Sequence, residues 1–151
     1  MKVLKAIILS KIFCATFTAW ALAQGIKVLI YYINYHKIDF RRLVGSGGMP
    51  SSHSAFVSCL ATTIGLETSW NSPVFLLALG MALIIMSDAA GVRRAAGQQA
   101  KILNLIMEDL YQSRPIPPQR LKELLGHTPV QVLVGAVIGV AIAILFYRVI
   151  F

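Results

Sequence analysis

The sequence predicts an all-α integral membrane protein, a helical bundle with three to five hydrophobic helices and one amphipathic helix. Of its 151 residues, 57% are apolar and 13% are charged, where soluble globular chains average about half and a quarter. The apolar residues are gathered in long runs, and the basic residues that give a net charge of +8 lie between those runs. The length suits one membrane-embedded domain over residues 1–151.

Four apolar stretches account for the predicted helices. The first runs from about Ile7 to Tyr35 and is long enough for one tilted span or two shorter helices. The second, Ala55 to Leu66, reaches a membrane thickness only if its helix begins near Pro50. The third, Pro73 to Val92, and the fourth, Val130 to Tyr147, are each long enough to span a membrane.

The N-terminus has a second interpretation. Lys2 and Lys5, a short apolar core and the small-residue sequence Ala21-Leu22-Ala23 resemble a secretory signal that is cleaved before Gln24. Lys11 interrupts the apolar core, which favours a retained first helix. Cleavage after Ala23 remains the alternative.

An amphipathic helix is predicted between the third and fourth stretches. Its apolar residues recur at helical spacing, and they are Ile102, Leu103, Ile106 and Leu110. Lys101, Asn104 and Glu108 fall on another side. We expect this helix to pack on the bundle or to lie in the membrane interface. The prolines of Ser113–Pro118 should end it, and a short helix from about Gln119 to Leu125 should follow.

The charge of the loops predicts an orientation. The loops His36–Gly48 and Arg93–His127 are rich in Lys and Arg, whereas the Glu67–Ser72 turn has neither. The positive-inside rule therefore places both basic loops on the cytoplasmic side of a cell membrane. Lys2, Lys5 and Lys11 oppose this orientation if the first stretch crosses once. Basic residues between apolar runs suit lipid headgroups or an anionic substrate, not nucleic acid.

A Gly- and Ser-rich turn, Ser46–Ala55, runs directly into the second apolar helix. Backbone N–H groups at Gly48, the hydroxyls of Ser51 and Ser52 and the start of a helix together attract an anion. This pattern predicts a phosphate cradle with His53 beside it. The structural alternative is a Gly-Gly turn, Pro50 in the first helical turn and Ser51 or Ser52 as an N-cap.

A second histidine stands before the last helix. Thr128 as N-cap, Pro129 at the first helical position and Gln131 at the third form a capping box. His127 therefore occupies the same kind of place as His53. If the two meet, one imidazole can attack phosphorus while the other donates a proton to the leaving oxygen.

Arg93 and Arg94 follow the third stretch and offer guanidinium groups suited to phosphate oxygens. Their alternative role is that of a basic anchor at the membrane surface. Asp88, inside the apolar run, needs a partner, and one of these arginines can supply it. A metal site of Asp88, His53 and His127 is a weaker idea, because no familiar close ligand spacing occurs. We expect no cofactor.

The strings Gly47–Ala55, Asp88–Arg94 and Leu124–Pro129 resemble the divergent branch of the type-2 phosphatidic acid phosphatase superfamily, which also includes vanadium haloperoxidases. The resemblance implies a metal-independent phosphomonoesterase on a helical bundle. His127 matches the nucleophile that forms a phosphohistidine, and His53 matches the acid. Membrane lipids and a phosphorylated, lipid-like substrate are the partners that it implies.

The sequence departs from the superfamily's pattern in three ways. The first motif, a Lys followed at a distance by Arg-Pro, is not visible in its expected place, and Lys27 is a candidate for its lysine. The Ser-Arg pair expected shortly before the nucleophile is missing, and Arg120 stands close to that spacing. Gln131 replaces the aspartate that orients the nucleophile, a part that Glu123 or Asp88 can take instead. Because an amide cannot stabilise imidazolium as a carboxylate does, Gln131 favours a competing hypothesis: a non-catalytic protein that binds lipid phosphate or another anion.

Overall fold

The computed structural model describes residues 10–37, 48–111 and 126–150, and these ranges are helical with no strand. The helices are α1 (Lys11–Tyr35), α2 (Ser52–Glu67), α3 (Pro73–Ala90), α4 (Val92–Tyr111) and α5 (Pro129–Leu145), and a π-helical segment (Phe146–Ile150) follows α5. The all-α prediction is confirmed. The predicted break at Ser113–Pro118 and the short helix from Gln119 lie outside the described residues.

Local capping sets where the helices begin. Ser10, Ser51, Ser72 and Thr128 each accept a hydrogen bond from a backbone N–H three residues later. Ser51 is the N-cap of α2, in agreement with the structural alternative, which offered Ser51 or Ser52. Pro50 precedes this cap, so its placement in the first helical turn was wrong.

The first apolar stretch forms one helix and not two. α1 runs without a break through Ala21-Leu22-Ala23, and it buries Ala23, Gln24 and Lys27. Three helical segments are long and apolar enough to cross a membrane: Lys11–Tyr35, Pro73–Glu108 and Pro129–Val149. The chain is therefore a helical membrane protein.

α2 is the central helix, and α1, α3 and α5 pack around it. Small residues permit the close approach: Ala15 and Ala19 of α1 meet Cys59 of α2 and Ala143 of α5 in one buried cluster. In membranes, helices associate largely through such small-residue contacts.

α5 approaches the backbone of α2 closely enough to require glycine. A Cβ at Gly135 would collide with the carbonyl oxygen of Ser51, and a Cβ at Gly139 would collide with the Ser58 hydroxyl. The N–H of Ser51 also donates to the carbonyl of Gln131 at 3.1 Å. This contact fixes the start of α2 against the start of α5, where the two predicted site histidines lie.

α4 is helical as predicted, but its sides are not arranged as expected. Ile102, Leu103 and Ile106 are exposed, whereas Asn104 is buried. The expectation that the apolar side of α4 packs on the bundle is therefore wrong for these residues. Placement of that side in the membrane interface stays a prediction.

Candidate active site

His53 and His127 line one small cavity at the end of the bundle where α2 and α5 begin and α3 ends. Its other lining residues are Ile85, Asp88, Ala89, Arg93 and Gly126. The cavity volume is about 20 Å³, room for about one water molecule. The structure thus brings together two histidines from helix starts far apart in the sequence, with an arginine beside them.

The backbone around His127 is fixed against α3. The N–H of His127 donates to the carbonyl of Ala89 at 2.8 Å. Gly126 has a positive φ of 84°, and a Cβ there would collide with the backbone of Arg93 and Arg94. Glycine is therefore required both by conformation and by space. These contacts hold the His127 side chain in a buried position, 4% exposed.

The capping box of α5 also orients the His127 ring. Thr128 and Gln131 form the reciprocal box that the sequence predicted. Gln131 Oε1 accepts from the Thr128 N–H at 3.0 Å, and His127 Nδ1 lies 3.3 Å from the same oxygen. Because an amide oxygen only accepts, Nδ1 is the donor in this pair. In the neutral ring that tautomer leaves the lone pair on Nε2.

Burial lowers the pKa of His127 below its ordinary value of 6.5, and the charges of Lys27 and His53 lower it further. Hydrogen bonds to Gln131 and to the Gly48 backbone oppose this shift. The net direction is downward, which favours the neutral ring.

Lys27 reaches the site from the middle of α1. Its side chain is 3% exposed, and its Nζ donates to Gln24 Oε1 at 2.7 Å. Gly48 has a positive φ of 84°, and a Cβ there would lie 3.1 Å from Lys27 Cγ. Lys27 therefore packs under the Gly48 turn, where its positive charge acts on His127.

Asp88 pairs with Arg93, one of the two partners proposed from the sequence. Arg93 Nε lies 2.6 Å from Asp88 Oδ2, and the two side chains are 55% and 37% exposed. Both residues line the cavity between the histidines. Arg94 contributes its backbone to the contact with Gly126, and its side chain is exposed.

Ser51 and Ser52 are buried and do not line this cavity. The Ser51 hydroxyl caps α2 and accepts a second hydrogen bond from the Ser54 hydroxyl at 2.9 Å. Their service as phosphate ligands stays a prediction. Glu123 and Arg120, the other predicted site residues, lie outside the described residues.

Two neighbours of the site were not predicted from the sequence. Gln24 stands one helical turn before Lys27, and its place in an apolar run was the available signal. Ile85 lines the cavity beside His53, but nothing in its local sequence distinguishes it from other apolar residues of α3. No group of three or more His, Cys, Asp or Glu side chains that could hold a metal ion occurs within the described ranges.

The fold and this cluster define a class: a helical membrane protein with a histidine pair, a buried lysine and an arginine gathered at one end of the bundle. The sequence profile of the divergent PAP2 family matches residues 8–142, and the chain belongs to that family. The uncharacterized membrane protein YuiD of Bacillus subtilis (strain 168) is 39% identical over 133 residues, which cover 81% of this chain and 84% of that protein. No solved structure matches the chain significantly.

Proposed function

We propose that this protein is a metal-independent phosphatase that hydrolyses a phosphate monoester or pyrophosphate carried by a lipid. Membership of the divergent PAP2 family supports a phosphatase-related membrane protein. The observation that carries the proposal is the shared cavity of His53 and His127, in which Gln131 Oε1 lies 3.3 Å from His127 Nδ1.

In the proposed reaction, His127 Nε2 attacks phosphorus and the bond from phosphorus to the leaving oxygen breaks. Burial and the charges of Arg93 and Lys27 lower the pKa of His53, whereas the negative charge of a bound phosphate raises it. Once protonated in that complex, His53 gives its proton to that oxygen. Water then attacks the phosphohistidine, His53 takes a proton from it, and inorganic phosphate leaves with His127 restored. The positive charges of Arg93 and Lys27 stabilise the phosphoryl oxygens as negative charge builds on them.

The site face is proposed to lie on the cytoplasmic side of the cell membrane. The ends of α1 and α3 and the starts of α2 and α5 meet there, and the predicted basic loops join these same ends. Membrane lipids are thus proposed both to surround the helical bundle and to supply the substrate.

The second candidate function is non-catalytic binding of a lipid phosphate or another anion. Gln131 favours it, because the neutral amide at 3.3 Å from His127 Nδ1 stabilises the imidazolium less than a carboxylate would. The same Arg93 and Lys27 charges would serve a binding protein equally well.

A phosphate-release assay tests the proposal. Purified protein is given a panel of lipid phosphates, lipid pyrophosphates and soluble phosphate esters, with and without chelator. We expect release that is insensitive to chelator and abolished in His127→Ala. The matched control is His36→Asn, which alters an exposed histidine at the end of α1 and keeps a residue that tolerates the positive φ of 50° there. Absence of release from the whole panel, with phosphate or vanadate binding intact, supports the binding protein instead.

A further inference from the structure

A second, larger cavity adjoins the histidine pair. Its volume is about 390 Å³, within the range of sites that bind small ligands, roughly 300–1,000 Å³. It is lined by Phe17, Trp20, His53, Phe56, Val57 and Ile85. We call it the apolar groove, because His53 is the one titratable side chain among the described residues that line it.

The groove follows from how the helices pack. α1 and α3 both pack against α2 but make no extensive contact with each other. The α2 residues His53, Phe56 and Val57 lie on one face at helical spacing and form the floor. Phe17 and Trp20 of α1 form one wall and Ile85 of α3 the other. Since α1 and α3 are candidate spans, we expect lipid chains to reach the groove from the side.

The groove and the polar cavity share two residues. His53 and Ile85 line both spaces. Because the polar cavity has room for about one water molecule, a phosphate group requires the exposed Arg93 side chain to move aside. A ligand can then hold that group beside His127 while an attached apolar chain continues past His53 into the groove.

We infer that the apolar groove binds the hydrocarbon chain of the leaving alcohol, and that the substrate is the phosphate ester of a long-chain apolar alcohol with no polar group beside the ester oxygen. This inference rests on the proposed function. His53 is the group that protonates the leaving oxygen, and the groove begins at His53. The leaving alcohol thus lies on the groove side of phosphorus, and its first carbons pass Ile85.

The residues that line the apolar groove favour phosphates of simple alkyl or isoprenoid alcohols over phosphatidic acid. In phosphatidic acid, ester carbonyls follow within a few bonds of the leaving oxygen. Phe17, Trp20 and Ile85 offer these carbonyls at most the indole N–H as a donor, and burying unpaired polar groups is unfavourable. A simple alkyl or isoprenoid chain carries no such groups.

Alkyl phosphates of increasing length, from methyl to octyl, test the inference while remaining soluble. If the chain enters the groove, KM should fall by roughly twofold to fourfold for each added methylene. Dioctanoyl phosphatidic acid should be a poorer substrate than octyl phosphate. A KM that is independent of chain length, or a preference for phosphatidic acid, would overturn the inference.

Two variants locate the effect. Phe17→Ala removes an exposed part of one wall and should raise KM for octyl phosphate by about fivefold, with methyl phosphate unaffected. Leu29→Ala, at an exposed position of α1 outside the groove, is the matched control. Ile85→Trp should abolish the chain-length dependence by filling the passage, whereas Ile84→Trp on the exposed neighbouring position should preserve it.

A binding measurement separates failure of the inference from failure of the proposed function. Trp20 lines the groove, and Trp70, the other tryptophan, lies in the turn after α2. In a Trp70→Phe background, octyl phosphate should change the emission of Trp20 at lower concentration than methyl phosphate. A chain-length-dependent change without turnover refutes only the phosphatase. Turnover whose KM ignores chain length, with Trp20 unresponsive, refutes only the groove.

Discussion

Replacing Gln131 with glutamate puts a carboxylate where the amide oxygen now accepts from His127. The geometry changes little, because a carboxylate oxygen can accept from the Thr128 N–H and from His127 Nδ1 as the amide oxygen does, at 3.0 and 3.3 Å. A unit charge at about 4 Å in a site of effective dielectric constant 20 is worth about 4 kcal/mol, and about 1.4 kcal/mol corresponds to one pKa unit. Because Gln131 is half-buried, screening reduces the effect, and we expect the pKa of His127 to rise by about one to two units.

NMR titration of labelled histidine measures this shift directly and requires no turnover. The pKa of wild-type His127 should lie below 6.5 because burial disfavours the charged ring, and the Gln131→Glu value should be higher. If the protein is a phosphatase, the acid limb of kcat/KM should move upward with it, since the attacking ring must be neutral.

Val130→Glu is the matched control, because it adds the same charge at the exposed neighbouring position of α5. It should move the pKa of His127 much less than Gln131→Glu does. Equal shifts in the two variants, or no shift in Gln131→Glu, would show that Gln131 does not hold the ring.

Three further predictions concern packing, charge and orientation. Gly126→Ala should lower the thermal midpoint of unfolding strongly, because a positive φ costs about 1–2 kcal/mol for other residues and the new Cβ would collide with backbone atoms. Gly80→Ala, where a Cβ meets nothing within 4 Å, should leave the midpoint unchanged or raise it. An equal response of the two variants would contradict the packing at Gly126. Asp88→Asn should tighten vanadate binding several-fold, as measured by calorimetry, because the Asp88 carboxylate repels anions and competes with them for Arg93. Weaker binding would contradict this and would mean that Asp88 positions Arg93 for the anion. Single cysteines at the exposed positions of Asn71 and Gln99 should differ in labelling from outside intact cells, with Asn71 reached and Gln99 protected; the reverse would overturn the orientation.

Local features of the site could be predicted from the sequence. Thr128 and Gln131 form a capping box because the hydrogen bonds of a helix start join residues three apart, and that spacing is visible in the chain. The same argument offered Ser51 or Ser52 as the cap of α2, and the structure shows Ser51. Asp88 was expected to pair with a nearby arginine because an apolar run offers a carboxylate little else.

Tertiary placement could not be read in this way. That Lys27 lies under Gly48 depends on how α1 packs against the turn before α2, and no local pattern encodes that contact. Ile85 resembles its apolar neighbours in α3, yet it alone among them borders both cavities.

One of the two placements expected for α4, packing of its apolar side on the bundle, was wrong for a related reason. Helical periodicity correctly separated an apolar side from a polar one, but it does not say which side faces the protein. The structure buries Asn104 and exposes Ile102. In a membrane protein an exposed apolar side can face lipid, so apolar character alone does not predict burial.

The most direct test of the central claim is to trap the phosphoryl group on His127. The purified protein is mixed with substrate labelled in the phosphate, quenched with base within milliseconds, and digested for mass spectrometry. The account predicts an acid-labile phosphate on the imidazole of His127 that is absent in His127→Ala. The phosphohistidine should accumulate in His53→Ala on a substrate with a good leaving group. Such a substrate needs no acid for the attack step, but the variant has lost the base that activates water for hydrolysis. Label on another residue, or turnover that persists in His127→Ala, would contradict it.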